Sequence, residues 1–260
     1  MAANTVVLAG FHAVTARVRI NPKSLREVYI DKSRHDKRMH ELCVKLREAG
    51  IRPIGADAQR LERLAGDVPH QGVVAIGERL EKTMDFGELL DSVTDETLLL
   101  ILDGVTDPRN FGACLRVADA AGVQAVIAPV NRSSHVTAAA AKAAAGAEES
   151  VPVIYVVNLA SAIAELKDAG VTVVGTAGET DRSIYDFDQK RAFAWVLGAE
   201  GEGLRQLTRK RCDALAAIPM MGSVESLNVS VAAGVCLFES VRQRHGDPAQ
   251  KVDNPARAKF

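Results

Sequence analysis

The feature that most restricts the fold is a series of short, almost uninterrupted apolar runs separated by helical stretches, beginning at Thr97. They read "TLLLILDGV", "VQAVIAP", "VPVIYVV", "VTVVGTAG", "FAWVLGAE" and "ALAAIPM". A strand with one wet face alternates apolar and polar residues, whereas these do not, so both of their faces must be covered by helices. The intervening segments supply those helices: "DPRNFGACLRVADAAG", "VTAAAAKAAAGA", "LASAIAELKDAG", "GEGLRQLTRKRC" and a last one beginning near Ser226. Alternation of this kind predicts an α/β domain with a doubly wound parallel sheet.

Before Thr97 the pattern is similar but weaker. "VVLAG", "FHAVTARVRI", "LREVYI", "DKRMHELCVKLREAG", "IRPIGA", "DAQRLERLAG" and "QGVVAIG" outline a smaller α/β unit over residues 1–78. Residues 79–96, "RLEKTMDFGELLDSVTDE", carry no long apolar periodicity and are taken as a linker. A second domain over 97–245 follows, and the polar tail 246–260 with its two prolines is expected to be flexible. At 260 residues and 47% hydrophobic content the chain can hold two such cores.

Composition excludes several classes. The longest apolar runs are too short to span a bilayer and no charged, apolar leader follows Met1, so a cytoplasmic protein with no membrane partner is expected. The four cysteines, Cys43, Cys114, Cys212 and Cys236, form no CxxC pair, and the six histidines never reach metal-ligand spacing, which predicts reduced thiols and no metal. The net charge of -1 conceals an asymmetry. Residues 1–78 hold 13 Lys/Arg against 9 Asp/Glu, a balance of +4, leaving -5 for the remainder. The densest part, "DKSRHDKRMH" at 31–40, reads either as a polyanion-binding patch or as a solvated helix start.

In an open parallel sheet, ligands gather beyond the carboxyl ends of the strands. Three of these ends carry unusual residues. The first is Asp107 to Arg116, in which Pro108 suits a first helical turn, Asn110 lies near the helix start, and Gly112 would leave room beside Arg116 four residues on. A guanidinium there suits phosphate or carboxylate, or alternatively an ion pair with Asp119. The second, "GAEGEG", is spaced GxxGxG rather than GxGxxG, and no Gly-Lys-Ser/Thr occurs, so a conventional NAD or ATP site is disfavoured. Its glycines otherwise read as tight turns, with Glu200 an exposed acid. The third is "SLNVSVAAG", whose Ser226, Leu227 and Asn228 read as a helix cap or as a site. "GTAG" at 175–178 adds a bare backbone edge after a fourth strand.

Taken in order, "DPRNFGACLRVADAAG", "VLGAEGEGL" and "IPMMGSVESLNVSVAAG" resemble the three motifs of the SpoU/TrmH family of S-adenosylmethionine-dependent RNA ribose 2'-O-methyltransferases, over residues 97–240. The N-terminal unit, "VLAGFHAVTARV" to "QGVVAIGE", resembles the ribosomal-protein-L30e-like RNA-binding domain found in a subset, and the combination is most similar to the members that methylate a guanosine in the peptidyl-transferase region of 23S ribosomal RNA. The resemblance implies a SPOUT-type α/β-knot with a deep trefoil knot, a homodimer, and 23S rRNA or a large-subunit precursor as partner. It also implies S-adenosyl-L-methionine as methyl donor, held around Thr176, Gly178, Leu197, Gly198, Gly201, Ile218, Met220, Leu227 and Asn228. Family positions for catalysis map onto Asn110, Arg116, Glu200, Ser226 and Asn228. Because a guanidinium stays protonated, Arg116 is expected to anchor the target phosphate and steady the developing oxyanion, with water or Glu200 taking the proton. Asn110 would orient Arg116 or the ribose, and Glu200 would steady Arg116 or Asn228. Three other readings compete: the same reaction on transfer RNA or another ribosomal site, a non-catalytic RNA-binding assembly factor, and a nicotinamide oxidoreductase, which the glycine spacing disfavours.

Overall fold

The chain divides into two compact units, Met1–Glu81 and Lys82–Phe260. The computed structural model describes residues 5–66, 68–78 and 84–246, so the tail expected to be flexible lies, beyond Gly246, outside the described residues.

In the first unit, chain order is β1 (Thr5–Ala9), α1 (Phe11–Ile20), β2 (Leu25–Asp31), α2 (Lys37–Glu48), β3 (Ile54–Ala56), α3 (Ala58–Ala65) and β4 (Val73–Glu78). The sheet order is β1-β4-β2-β3, with β4 antiparallel to both neighbours and β2 parallel to β3. Successive residues serve opposite faces: Val28, Val73 and Ala75 join the core under α1 and α2, while Tyr29 and Val74 join the core under α3. Asp36 and Asp57 cap α2 and α3 by accepting first-turn N–H bonds. Arg17 is fully buried and donates to Ser24 Oγ and to the Glu78 carbonyl, so its charge is held by oxygen acceptors inside the unit.

The second unit runs α4 (Phe86–Asp91), β5 (Leu98–Asp103), α5 (Pro108–Ala121), β6 (Ala125–Pro129), α6 (Ala138–Ala144), β7 (Val153–Val156), α7 (Leu159–Asp168), β8 (Thr172–Thr176), β9 (Phe193–Gly198), α8 (Gln206–Arg211), β10 (Ala214–Ala216) and α9 (Val229–His245). The six strands lie in the order β10-β8-β9-β5-β6-β7, and every pairing is parallel. Continuous apolar strands imply this arrangement: Leu98, Leu100 and Leu102 pack under α5 and α9, while Leu99 and Ile101 pack with α4 and α7 on the other side. Leu99, Leu100, Ile101 and Leu102 are fully buried, each contributing about 1.5–3 kcal/mol. Among the described residues, no helix is long and apolar enough to cross a membrane.

Three local expectations change. Phe86–Asp91, inside the segment read as a linker, is a helix with an Asp85/Glu88 capping box, and its buried Leu89 joins the core of the second unit. Six residues are too few for periodicity to register. The last helix begins at Val229 rather than near Ser226, because Asn228 is its cap. Gly112 does not make room for Arg116: a Cβ there would fall 2.1 Å from the Ala140 carbonyl oxygen, so the missing side chain lets α5 pack directly on α6.

Candidate active site

The chain lays β5, β6 and β7 toward one edge, then crosses to β8 and returns to insert β9 between β8 and β5. The direction of winding reverses there, with Asp103 paired to Gly198 at the strand ends. Loops after β5, β8, β9 and β10 therefore meet on one edge, where a crevice forms in such sheets.

Two helices start beside this edge. Asp107 caps α5 by accepting from the N–H groups of Arg109 (2.7 Å) and Asn110 (3.1 Å), with Pro108 in the first turn where its missing N–H costs nothing. Asn228 caps α9, its Oδ1 accepting from the Ser230 N–H at 3.0 Å and from the Ser230 hydroxyl at 2.6 Å. Between the two starts lies Glu200. Its Oε1 accepts from Asn228 Nδ2 at 2.6 Å, Asn110 Nδ2 at 3.3 Å and the Val229 N–H at 3.3 Å. Asn228 Nδ2 also donates to Asn110 Oδ1 at 2.9 Å. A carboxylate thus sits at the N-terminus of α9, where an unsatisfied N–H and the helix dipole favour negative charge. Residues separated by 90 and 118 positions form one hydrogen-bonded cluster.

The loop carrying Glu200 is held at both ends. Gly201 and Gly203 have positive φ, and the Gly203 N–H donates to the Ala199 carbonyl at 2.9 Å, folding the loop back over its own strand. A Cβ on Gly198 would lie 2.1 Å from the Gly203 carbonyl carbon, so only glycine fits. At the far end, fully buried Asp103 accepts from the Arg205 N–H at 3.0 Å and from its guanidinium Nε. Neither Asp103 nor Arg205 was singled out from the sequence, although a carboxylate closing the apolar run "LLLILD" is the signal that marks it.

Arg116 stands apart from the cluster. It is exposed, its side chain makes no hydrogen bond or ion pair among the described residues, and it lies six residues beyond Asn110, roughly 9 Å along α5 and roughly 120° around it. Asp119, its alternative partner, accepts instead from the Ser150 hydroxyl. Ser226 is likewise exposed, outside both the cap and the cluster.

Around the edge, Thr176 Oγ1 donates to the Val196 carbonyl at 3.3 Å, and Leu197 is buried in the core, leaving only its main chain for the loop side. Gly178 and Gly201 are exposed, with nothing within 4 Å of where a Cβ would stand. Ile218, Met220 and Leu227 are half-buried. Under the cluster, burial pushes the Cys114 thiol up to about 12, with the Glu200 carboxylate adding to the shift, so it is no nucleophile at neutral pH. Among the described residues no His/Cys/Asp/Glu group could hold a metal ion.

Comparison with known proteins identifies the family. Residues 97–238 match the model of the SpoU rRNA Methylase family, and residues 7–83 match that described as RNA 2'-O ribose methyltransferase substrate binding. The chain is 55% identical over 244 residues to the 23S rRNA (guanosine-2'-O-)-methyltransferase RlmB of Ralstonia nicotianae, covering 94% of this chain and 98% of that one. It is 49% identical over 240 residues to the protein of the same name from Escherichia coli, covering 92% and 98%. A solved structure of the SpoU methyltransferase AviRb from Streptomyces viridochromogenes, in complex with the cofactor AdoMet, superposes with a TM-score of 0.70 at 27% identity, covering 94% of this chain and 92% of that one. With three strand ends converging on one hydrogen-bonded cluster, and with similarity of this extent, the chain belongs to the SpoU rRNA methylase family.

Proposed function

We propose that this chain transfers a methyl group from S-adenosyl-L-methionine to the ribose 2'-hydroxyl of a guanosine in the peptidyl-transferase region of 23S ribosomal RNA, acting in the cytoplasm as a homodimer. The observation that carries the reading is the Asn110–Glu200–Asn228 cluster at the winding reversal of the sheet. Near full-length similarity to proteins named for that reaction supports the substrate.

The donor fits the chain's own backbone. Open space at Gly178 and Gly201 would be filled by any side chain, and it adjoins the strand ends of β8 and β9. Thr176, Gly178, Leu197, Gly198, Gly201, Ile218, Met220, Leu227 and Asn228 would hold S-adenosylmethionine, largely through main-chain groups. When bound, it supplies a methyl group already activated by the sulfonium charge. The chain must then supply placement, which can lower a barrier by about 7–11 kcal/mol. Asn228 and Asn110 turn amide groups toward the ribose, and Glu200 fixes both amides in one orientation. Arg116 grips the phosphate of the target nucleotide with its two-pronged guanidinium. Because Arg116 is unpaired on α5 and away from its own cluster, it serves the site of the partner copy. Val231 and Phe238, seven residues apart and half-exposed on α9, provide the apolar stripe for that dimer. With no histidine in the three motifs, the hydroxyl proton passes to water or to the free oxygen of Glu200. Ser226 contacts the incoming RNA from the loop before α9.

In the same reading the chain around β9 and the loop into α9 forms a trefoil knot, a reading supported by the match of residues 97–238 to the SpoU rRNA Methylase family. Residues 1–78 form the L30e-like RNA-binding domain and 97–245 the methyltransferase. The test is mapping ribose methylation across ribosomal and transfer RNA in cells with and without this protein. Loss of one large-subunit guanosine mark, restored by the wild type and not by Arg116→Lys, is expected; an unchanged ribosomal RNA overturns the substrate, and full rescue by Arg116→Lys overturns the phosphate grip.

A further inference from the structure

The first unit carries a cleft of about 390 Å³, within the roughly 300–1,000 Å³ typical of small-ligand sites. Its floor is apolar, built from Ile30 at the end of β2 and from Met39 and Cys43 on α2. Its rim is polar, and the rim groups divide into committed and free. Arg34 is committed: it pairs with Asp36, donates to the Gln71 carbonyl and lies over the Phe11 ring. Asp31 is committed too, accepting from the Ser33 N–H at 2.9 Å and hydroxyl at 2.7 Å, which lowers its pKa and keeps it ionised.

Lys32, His35 and His40 are free. All three are exposed, and their side chains make no hydrogen bond or ion pair among the described residues. The Lys32 stem lies flat over Gly55, where a Cβ would come within 2.8 Å of its Cγ and Cε, so the ammonium is carried to the rim on a packed stem.

We propose that this cleft binds one unstacked nucleotide of the substrate RNA, its base on the Ile30–Met39–Cys43 floor between the His35 and His40 rings, its phosphate on Lys32. The occupant follows from complementarity. Unpaired RNA bases are read by stacking on flat side chains, phosphates by free cations, and residues 1–78 carry a net +4. The proposal rests on the reading of this unit as the one that grips RNA, and adds where and how.

The test measures binding and methylation of a 23S rRNA transcript by the full-length protein. Two variants disable the cleft differently: Lys32→Ala/His35→Ala/His40→Ala strips the rim, and Gly55→Leu, at a position whose backbone accepts a side chain, pushes the Lys32 stem aside and puts its own bulk in the cleft. Lys45→Ala/Arg47→Ala, exposed on the last turn of α2, removes two charges outside the cleft as a control. Both cleft variants are expected to raise the transcript Kd and KM about tenfold while leaving kcat and S-adenosylmethionine affinity unchanged, with the control within about twofold. Cleft variants that bind and methylate like the wild type overturn the proposal and leave the enzymatic reading intact. So does an equal loss in the control, which marks a diffuse charge effect. A wild type that binds the transcript without methylating it overturns the substrate reading, while the cleft variants' Kd still decides the proposal; a wild type that does neither overturns both.

Discussion

Both units layer helices over a sheet, yet they collect chemistry differently. In the second, six parallel strands end on one edge, so loops separated by more than a hundred residues meet at Glu200. In the first, β1, β2 and β3 run one way but β4 runs against them and separates β1 from β2, so the strands that end on one edge are not all paired neighbours. Its cleft lies instead at the end of its one parallel pair, β2 and β3, which contribute Ile30, Asp31 and Gly55. Parallel pairing is what the two places share. It aligns the carboxyl ends of neighbouring strands, and side chains from distant segments converge there.

The comparison breaks most sharply if the cluster is dispensable. Glu200→Ala frees Asn110 and Asn228 to rotate and is expected to lower kcat about 100-fold, since a misplacement of about 1 Å costs that much. Steady-state kinetics with S-adenosylmethionine affinity as control would check it, and turnover within threefold of wild type would remove the cluster from catalysis. Next comes the backbone packing specific to the second unit. Gly112→Val drives a side chain into the Ala140 carbonyl and should cost about 3 kcal/mol, lowering the melting midpoint by roughly 6–12 °C. A midpoint within 2 °C would mean that α5 and α6 separate cheaply.

Smaller effects sharpen the site boundary. Asp107→Ala removes a cap and should cost about 1 kcal/mol, whereas Ser226→Ala, outside any cap, should leave the denaturant midpoint unchanged. Equal losses would return Ser226 to a capping role. Acid should act on the second unit through buried Glu239, whose hydrogen bond from Arg242 holds its carboxyl below the usual range. A depressed folded pKa means stability present above the unfolded value near 4.5 and lost as pH falls through the folded one. Glu239→Gln should therefore be less stable than wild type at pH 7, with the difference closing below about pH 4; a constant difference would assign the loss to packing. The smallest effect separates the thiols. Burial raises Cys114, Cys212 and Cys236 to about 12 each, so native protein at pH 8 should be alkylated first at half-buried Cys43, on the cleft floor. Prior labelling of Cys236 would show that α9 opens readily.

Much of this was legible in one dimension. Apolar runs such as "TLLLIL" announce strands covered on both faces, and β5 is buried over its whole length. The three motifs pointed to Asn110, Glu200 and Asn228 as one site, and these three hydrogen-bond together. What escaped was short or relational. The helix at Phe86 is under two turns, and Gly112 reveals its purpose only when α6 lies against it. Asp103 and Arg205 are ordinary charged residues until β5 and the loop after β9 bring them together.

The amino-acid order by itself determined the layered α/β class, the two units and the family, because burial periodicity and motif spacing are local properties of a chain. Tertiary structure alone decided which oxygen holds which amide. It also decided that Asn228 rather than Ser226 starts α9 and that Arg116 stands clear of the cluster. The physical reason is distance: hydrogen bonds form within about 3 Å, and only the folding of β9 between β8 and β5 brings positions 110, 200 and 228 that close.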